Sequence, residues 1–191
     1  MARGVVEEHI GMGALATGWR PGSVLCCVGL GSCIGLALVD QDAGVAGVAH
    51  IVMPAGDGDP PAHFAHTAVP VLAGRTVAAG ARREDLVAIL VGGAQMFTFG
   101  SGQQIGARNE QAVREALVQA HIPVVAADTG GQSGRTFRVR IDDRVTASVR
   151  TTGQAEKQLS LDQLVKQTGT TSDSGASAVP NRRQTTSEMV N

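Results

Sequence analysis

The chain has no tyrosine, one tryptophan and four phenylalanines among its 191 residues. Alanine, valine, leucine and isoleucine must therefore fill the interior. Basic residues are not in excess: 16 Lys and Arg stand against 17 Asp and Glu, for a net charge of -1. Binding nucleic acid by phosphate neutralisation needs a basic face, so that class is excluded. No apolar run reaches the length of a membrane span. The start, Met1-Ala2-Arg3-Gly4-Val5-Val6-Glu7-Glu8, turns acidic where a secretion signal needs an apolar core, so a cytoplasmic protein is expected. Cysteines are few and clustered at 26, 27 and 33. An adjacent pair is sterically poor for a disulfide, no distant partner exists, and no C-x-x-C occurs, so reduced thiols and no metal site are expected. Cofactor motifs are missing as well. There is no phosphate-binding G-x-x-x-x-G-K-[ST] and no G-x-S-x-G elbow. Gly29-x-Gly31-x-x-x-Gly35 is one residue too long for a dinucleotide fingerprint and runs into a strand. No cofactor is expected.

What is present is a chain with 25 glycines and short apolar runs between turns. Residues 23–28 read as a strand bounded by Pro21-Gly22 and Gly29, residues 34–40 as a second, and 45–53 as a third that Pro54 ends. Phe64, Thr67, Ala68, Val71 and Leu72 recur at helical spacing and predict a helix over 63–79, kinked or broken at Pro70. Residues 86–91 form a continuous apolar strand stopped by Gly92-Gly93. A helix follows, with Ala112, Val113, Ala116, Leu117 and Ala120 as its apolar stripe. Asn109 is read as its cap in preference to Arg108 being at a site. Residues 122–127 are another strand, and 128–131 a turn. Residues 136–141 and 145–149 alternate and predict a hairpin around Asp142-Asp143. Strands and helices alternate only in part, so the expected class is α+β. A folded domain over 1–158 is expected, followed by a polar, largely disordered tail over 159–191 in which 160–166 form a short helix.

The chemistry centres on Cys33 and His50. Cys33 closes Gly29-Leu30-Gly31-Ser32-Cys33, where small neighbours leave the sulfur approachable. Backbone N–H groups near Ser32 and Cys33, freed by the turn, can stabilise an oxyanion. Cys26 and Cys27 sit mid-strand among Val and Leu and read as small hydrophobes. His50 ends an apolar run, Gly47-Val48-Ala49-His50. An imidazole there can take a proton from a thiol and return it to a leaving group. His9, His63, His66 and His121 compete for that role, with His63 and His66 placed to line a substrate path, and only the fold chooses among them.

Five short segments in order resemble the CheD family of chemoreceptor glutamine deamidases. They are Gly29-Leu30-Gly31-Ser32-Cys33, Ala49-His50-Ile51-Val52-Met53-Pro54, Gly92-Gly93-Ala94 with Met96, Ile105-Gly106-Ala107-Arg108-Asn109, and Asp128-Thr129-Gly130-Gly131 with Arg135. The resemblance covers roughly residues 4–158. It implies an α/β sandwich with mixed sheets and flanking helices. It also implies hydrolysis of selected glutamine side chains on the cytoplasmic helices of chemotaxis receptors, with Cys33 as nucleophile and His50 as general base. A CheC-like phosphatase is an implied partner, and a non-catalytic adaptor for such a phosphatase is the alternative function. A thiol redox sensor built on the three cysteines is a third reading. In one respect the chain departs from the family. The threonine commonly found six residues before the nucleophile is Cys27 here, so either this thiol plays a weakened version of that part or a backbone carbonyl orients His50 instead.

Overall fold

In the computed structural model the described residues are 6–96 and 104–161. Ten strands and two α-helices follow in chain order: β1 (Val6–His9), β2 (Leu15–Gly18), β3 (Ser23–Leu30), β4 (Ile34–Asp40), β5 (Val45–Ile51), α1 (Ala65–Ala78), β6 (Val87–Gly92), α2 (Ile105–Gln119), β7 (Val124–Thr129), β8 (Arg135–Ile141), β9 (Val145–Thr151) and β10 (Lys157–Leu159). They form two mixed five-stranded sheets, ordered β1-β3-β8-β9-β10 and β2-β5-β4-β6-β7. The fold is α+β, as the sequence implied. The short helix expected over 160–166 and the expected disorder of the tail fall almost wholly outside the described residues.

Burial explains which strands the sequence announced. Every residue of β4 and β5 is buried, because the second sheet is covered on both faces. On one side Ile34, Leu36, Leu38, Val45, Ala49 and Ile51 meet α1 and α2. On the other, Ala37, Val39, Ala46 and Val48 meet Leu25, Phe137, Val139 and Ile141 of the first sheet. Strands buried on two faces read as continuous apolar runs, whereas β8, covered on one face, alternates strictly. The β8–β9 hairpin expected around Asp142-Asp143 is present, pairing Ile141 with Val145.

Two local expectations need correction. Pro70 does not break α1, which runs unbroken from Ala65 to Ala78. The ring lies on the exposed side, where water can satisfy the His66 carbonyl that lost its donor. Asn109 is not the cap of α2. The helix begins four residues earlier, Gln104 holds the cap position in a left-handed conformation (φ 86°), and Asn109 is fully buried one turn inside.

A close approach brings α2 against the end of β6. A Cβ added at Gly106 would strike the carbonyl oxygen of Gly93 and lie 2.9 Å from that of Ala94. These are backbone atoms and cannot swing aside. Gly106→Ala is therefore expected to lower stability by about 1–3 kcal/mol, read as a lower urea midpoint with an unchanged slope.

Candidate active site

The turn between β3 and β4 carries Cys33, and hydrogen bonds to its carbonyls fix its shape. Gly31 O accepts from Ala94 N (2.7 Å), Cys33 O accepts from Gly93 N (2.8 Å), and Ser32 O accepts from the side-chain amide of Asn109 (2.9 Å). Gly92, at φ 120°, leaves room for the Cys33 carbonyl to come close. Cys33 itself is half-buried. It borders a cavity of about 240 Å³ together with Gly29, Ser32, Gln95, Met96 and Ile105. Ile105 is the first residue of α2, so the positive end of that helix borders the cavity, a placement that favours negative charge there. Burial pushes the Cys33 thiol above its ordinary range, and its own backbone N–H partly opposes this. The resting thiol is thus protonated at neutral pH.

His50 lies on β5 and is 3% exposed. Alternation along β5 sends Ala49 and Ile51 toward the helices and Val48 toward the first sheet, so His50 faces the seam between the sheets. Cys33 packs against that same seam cluster. In the β4–β5 ladder Ile34 pairs with Ile51 and Gly35 with His50, so Cys33 and His50 flank the last rungs of one hairpin. The ring nitrogens have different surroundings. Nδ1 lies 3.2 Å from the carbonyl oxygen of Ile10, whereas Nε2 is buried and has no hydrogen-bond partner. A carbonyl oxygen can only accept, so Nδ1 carries the proton and Nε2 presents its lone pair. Burial draws the ring below the ordinary histidine range, with Ile10 O acting in the opposite sense, and the neutral form prevails at pH 7. The unpartnered Nε2 forms no hydrogen bond to Cys33 in this state, and His50 sits on the seam rather than among the residues lining the cavity.

Cys27 also faces the seam. It is fully buried, and a Cβ at Gly35, opposite His50, would lie 3.7 Å from that of Cys27. Burial, with Cys26 and Cys33 adding to it, pushes the Cys27 thiol far upward, so it stays neutral. Of the two ways to orient His50 that the sequence left open, the hydrogen bond observed is the one from Nδ1 to a backbone carbonyl.

The remaining histidines lie elsewhere. His9 is exposed on β1, His121 is exposed beyond α2, and His66 lines a separate groove with Arg108. None of them, nor His63, is among the described residues lining the Cys33 cavity. Among the described residues, one group brings three potential metal ligands within reach: Glu7, His9 and Cys26, on the far face of the first sheet. Its carboxylate already accepts from Arg138 (3.3 Å) and contacts His9 (3.0 Å), and burial pushes the Cys26 thiol up to about 11.

Sequence reading missed three contributors to the site. The Ile10 carbonyl has no residue-type signature. Asn109 was assigned to a cap. Arg135 was noted only as part of a motif, yet it is a brace: its Nε donates to Asp128 (2.6 Å) and its Nη1 to Gly130 O (2.8 Å). Lys157 also reaches Asp128. Burial works to raise the Asp128 carboxyl, but Lys157 and Arg135 outweigh it and hold it below the usual carboxylate range. The braced loop in turn fixes Gln95, on the cavity wall, through the bond from Gln95 N to Gly131 O (2.8 Å).

The described residues form an α+β fold in which a half-buried thiol sits on a clamped turn beside a seam that holds one neutral imidazole. The family model described as CheD chemotactic sensory transduction matches residues 52–150, just over half of the 191 residues and beginning two positions beyond His50. The chain belongs to the CheD family. It is 43% identical over 161 residues to a probable chemoreceptor glutamine deamidase CheD of Symbiobacterium thermophilum, covering 80% of this chain and 96% of that one. A probable chemoreceptor glutamine deamidase CheD of Geobacillus kaustophilus is 41% identical, covering 78% and 95%. The chemoreceptor glutamine deamidase CheD of Halalkalibacterium halodurans is 40% identical, covering 73% and 90%. No helix among the described residues is long and apolar enough to cross a membrane.

Proposed function

We propose that this chain is a cysteine-dependent protein-glutamine deamidase acting on chemoreceptor helices, with Cys33 as nucleophile and His50 as general base. The observation that carries the reading is the buried, unpartnered Nε2 of His50 on the seam to which Cys33 also belongs. Both groups rest neutral, so the proton leaves sulfur as the reaction begins rather than beforehand. His50 and Cys33 must draw together when substrate binds, as catalytic hydrogen bonds commonly do. A cavity of about 240 Å³ suits one extended side chain rather than a bulky group.

The steps balance without a cofactor. His50 Nε2 takes the Cys33 proton while sulfur bonds to Cδ of the glutamine. The resulting oxyanion is met by backbone N–H groups near Ser32 and Cys33, with the N-terminal end of α2 at the cavity edge. The tetrahedral carbon then expels its nitrogen as ammonia, protonated by His50, and leaves a thioester. A water deprotonated by His50 hydrolyses the thioester, giving glutamate and the free thiol. Each turnover adds one negative charge to a receptor helix, enough to change the pairing of neighbouring charges one turn away. Cys27 holds no hydrogen bond in this scheme, because the Ile10 carbonyl already holds the ring. A CheC-like phosphatase as second partner rests on the family resemblance alone.

Incubation with a purified receptor cytoplasmic fragment tests the reading. Selected glutamines should gain the mass of an amide-to-acid exchange, with ammonia released in equal amount. A fragment left unmodified by folded protein, even while a phosphatase of the CheC type binds, would make the chain an adaptor instead.

A further inference from the structure

Beyond Ile34 and Ile51 the β4–β5 ladder ends, and past its last rung one carbonyl from each strand's end points to α2. They belong to Ser32, just before the proposed nucleophile, and Val52, two residues past the proposed base. One nitrogen serves both: Asn109 Nδ2 lies 2.9 Å from Ser32 O and 2.8 Å from Val52 O. Asn109 is fully buried, so no water competes. A carboxamide nitrogen carries two protons and can bond two carbonyls at once, which a hydroxyl or a carboxylate cannot do. The side chain reaches this point because Gly106, one turn earlier on α2, lets the helix touch the end of β6.

We propose that Asn109 is a positioning residue, whose amide acts as an extra rung that sets the Cys33 turn relative to the His50 strand. The inference rests on the proposed roles of those two residues and adds to them a helix-borne clamp. Its oxygen, Oδ1, is buried and without a partner, so the residue is kept for its donors. Rate falls steeply with small misplacements of reacting groups, by about 100-fold for an error near 1 Å. Loss of the rung should therefore act on turnover rather than on binding.

The test compares Asn109→Asp, which keeps the shape but loses both donors, with Asn109→Ser, which keeps one donor and leaves space for water should the aspartate variant fail to fold. Deamidation of a receptor fragment and iodoacetamide alkylation of Cys33 across pH are measured beside thermal melts. In folded variants kcat should fall about 10- to 100-fold with KM within about twofold, and the pH profile of Cys33 alkylation should move. Asn109→Gln, which restores two donors, should recover part of the rate. Folded variants with wild-type kcat and an unmoved alkylation profile would overturn the proposal. So would losses that only track the unfolded fraction and vanish on cooling. Cys33→Ala separates the two levels: activity surviving in that variant removes Cys33 as nucleophile, whereas activity abolished there but intact in the Asn109 variants removes only the clamp.

Discussion

Cys33→Ala is expected to abolish deamidation, a fall of about 10⁴-fold or more, while leaving the fold in place. No other thiol can substitute. Cys26 faces the far side of the first sheet beside Glu7, and burial pushes it up to about 11. Cys27 is sealed in the seam, and burial pushes it higher still. Cys33 is half-buried at the edge of a cavity, so the loss of its sulfur should change the melting temperature little. Wild-type protein treated with iodoacetamide should react first at Cys33 and lose activity in proportion. Equal labelling of all three thiols, or turnover surviving in Cys33→Ala, would remove the sulfur from the reaction.

His50→Gln should lower kcat by about 10²- to 10⁴-fold and change the shape of the pH profile. In the wild type, activity requires the neutral ring. Because burial holds the ring below its ordinary 6.5, the acid limb of kcat/KM should lie below pH 6.5, and the rate should persist where an exposed histidine would already be half protonated. In the variant that limb should vanish. The residual rate should instead climb with pH toward and past 9.0, the ordinary thiol value, since burial raises Cys33 and no base remains to unload it. Stability follows the same sign. The unfolded chain binds a proton at His50 at higher pH than the folded one does, so stability should decline as pH falls from neutral through about 6.5. His50→Gln should lack that component in urea melts. A variant with the wild-type acid limb would assign the base to another group.

The strands best legible in sequence were those the fold buries most. Residues 34–39 and 86–91 announce β4 and β6 because both faces are covered, and 136–141 announces β8 by alternation. The strands β1, β2 and β10 went unread: each has three or four residues, and Val6, Glu7, Glu8 and His9 are all exposed, so no burial pattern marks them. Within the candidate site, the approachable position of Cys33 was legible because a glycine-rich turn leaves a thiol there without bulky neighbours in sequence. His50 was legible only as one candidate of five until strand alternation placed it on the seam. Asn109 misled because the same amide that caps helices also bridges carbonyls. Nothing local distinguishes the two uses when the carbonyls come from 77 and 57 residues away.

The oxygen that steers the His50 ring belongs to the main chain at Ile10. Substitution at position 10 changes a side chain but cannot delete a carbonyl, so this part of the machinery is shielded from point mutation. Only an insertion or deletion that displaces residues 10–14 would remove it. With Nδ1 already held there, the ring asks no hydroxyl of position 27, and a buried thiol fills that place as a small apolar group.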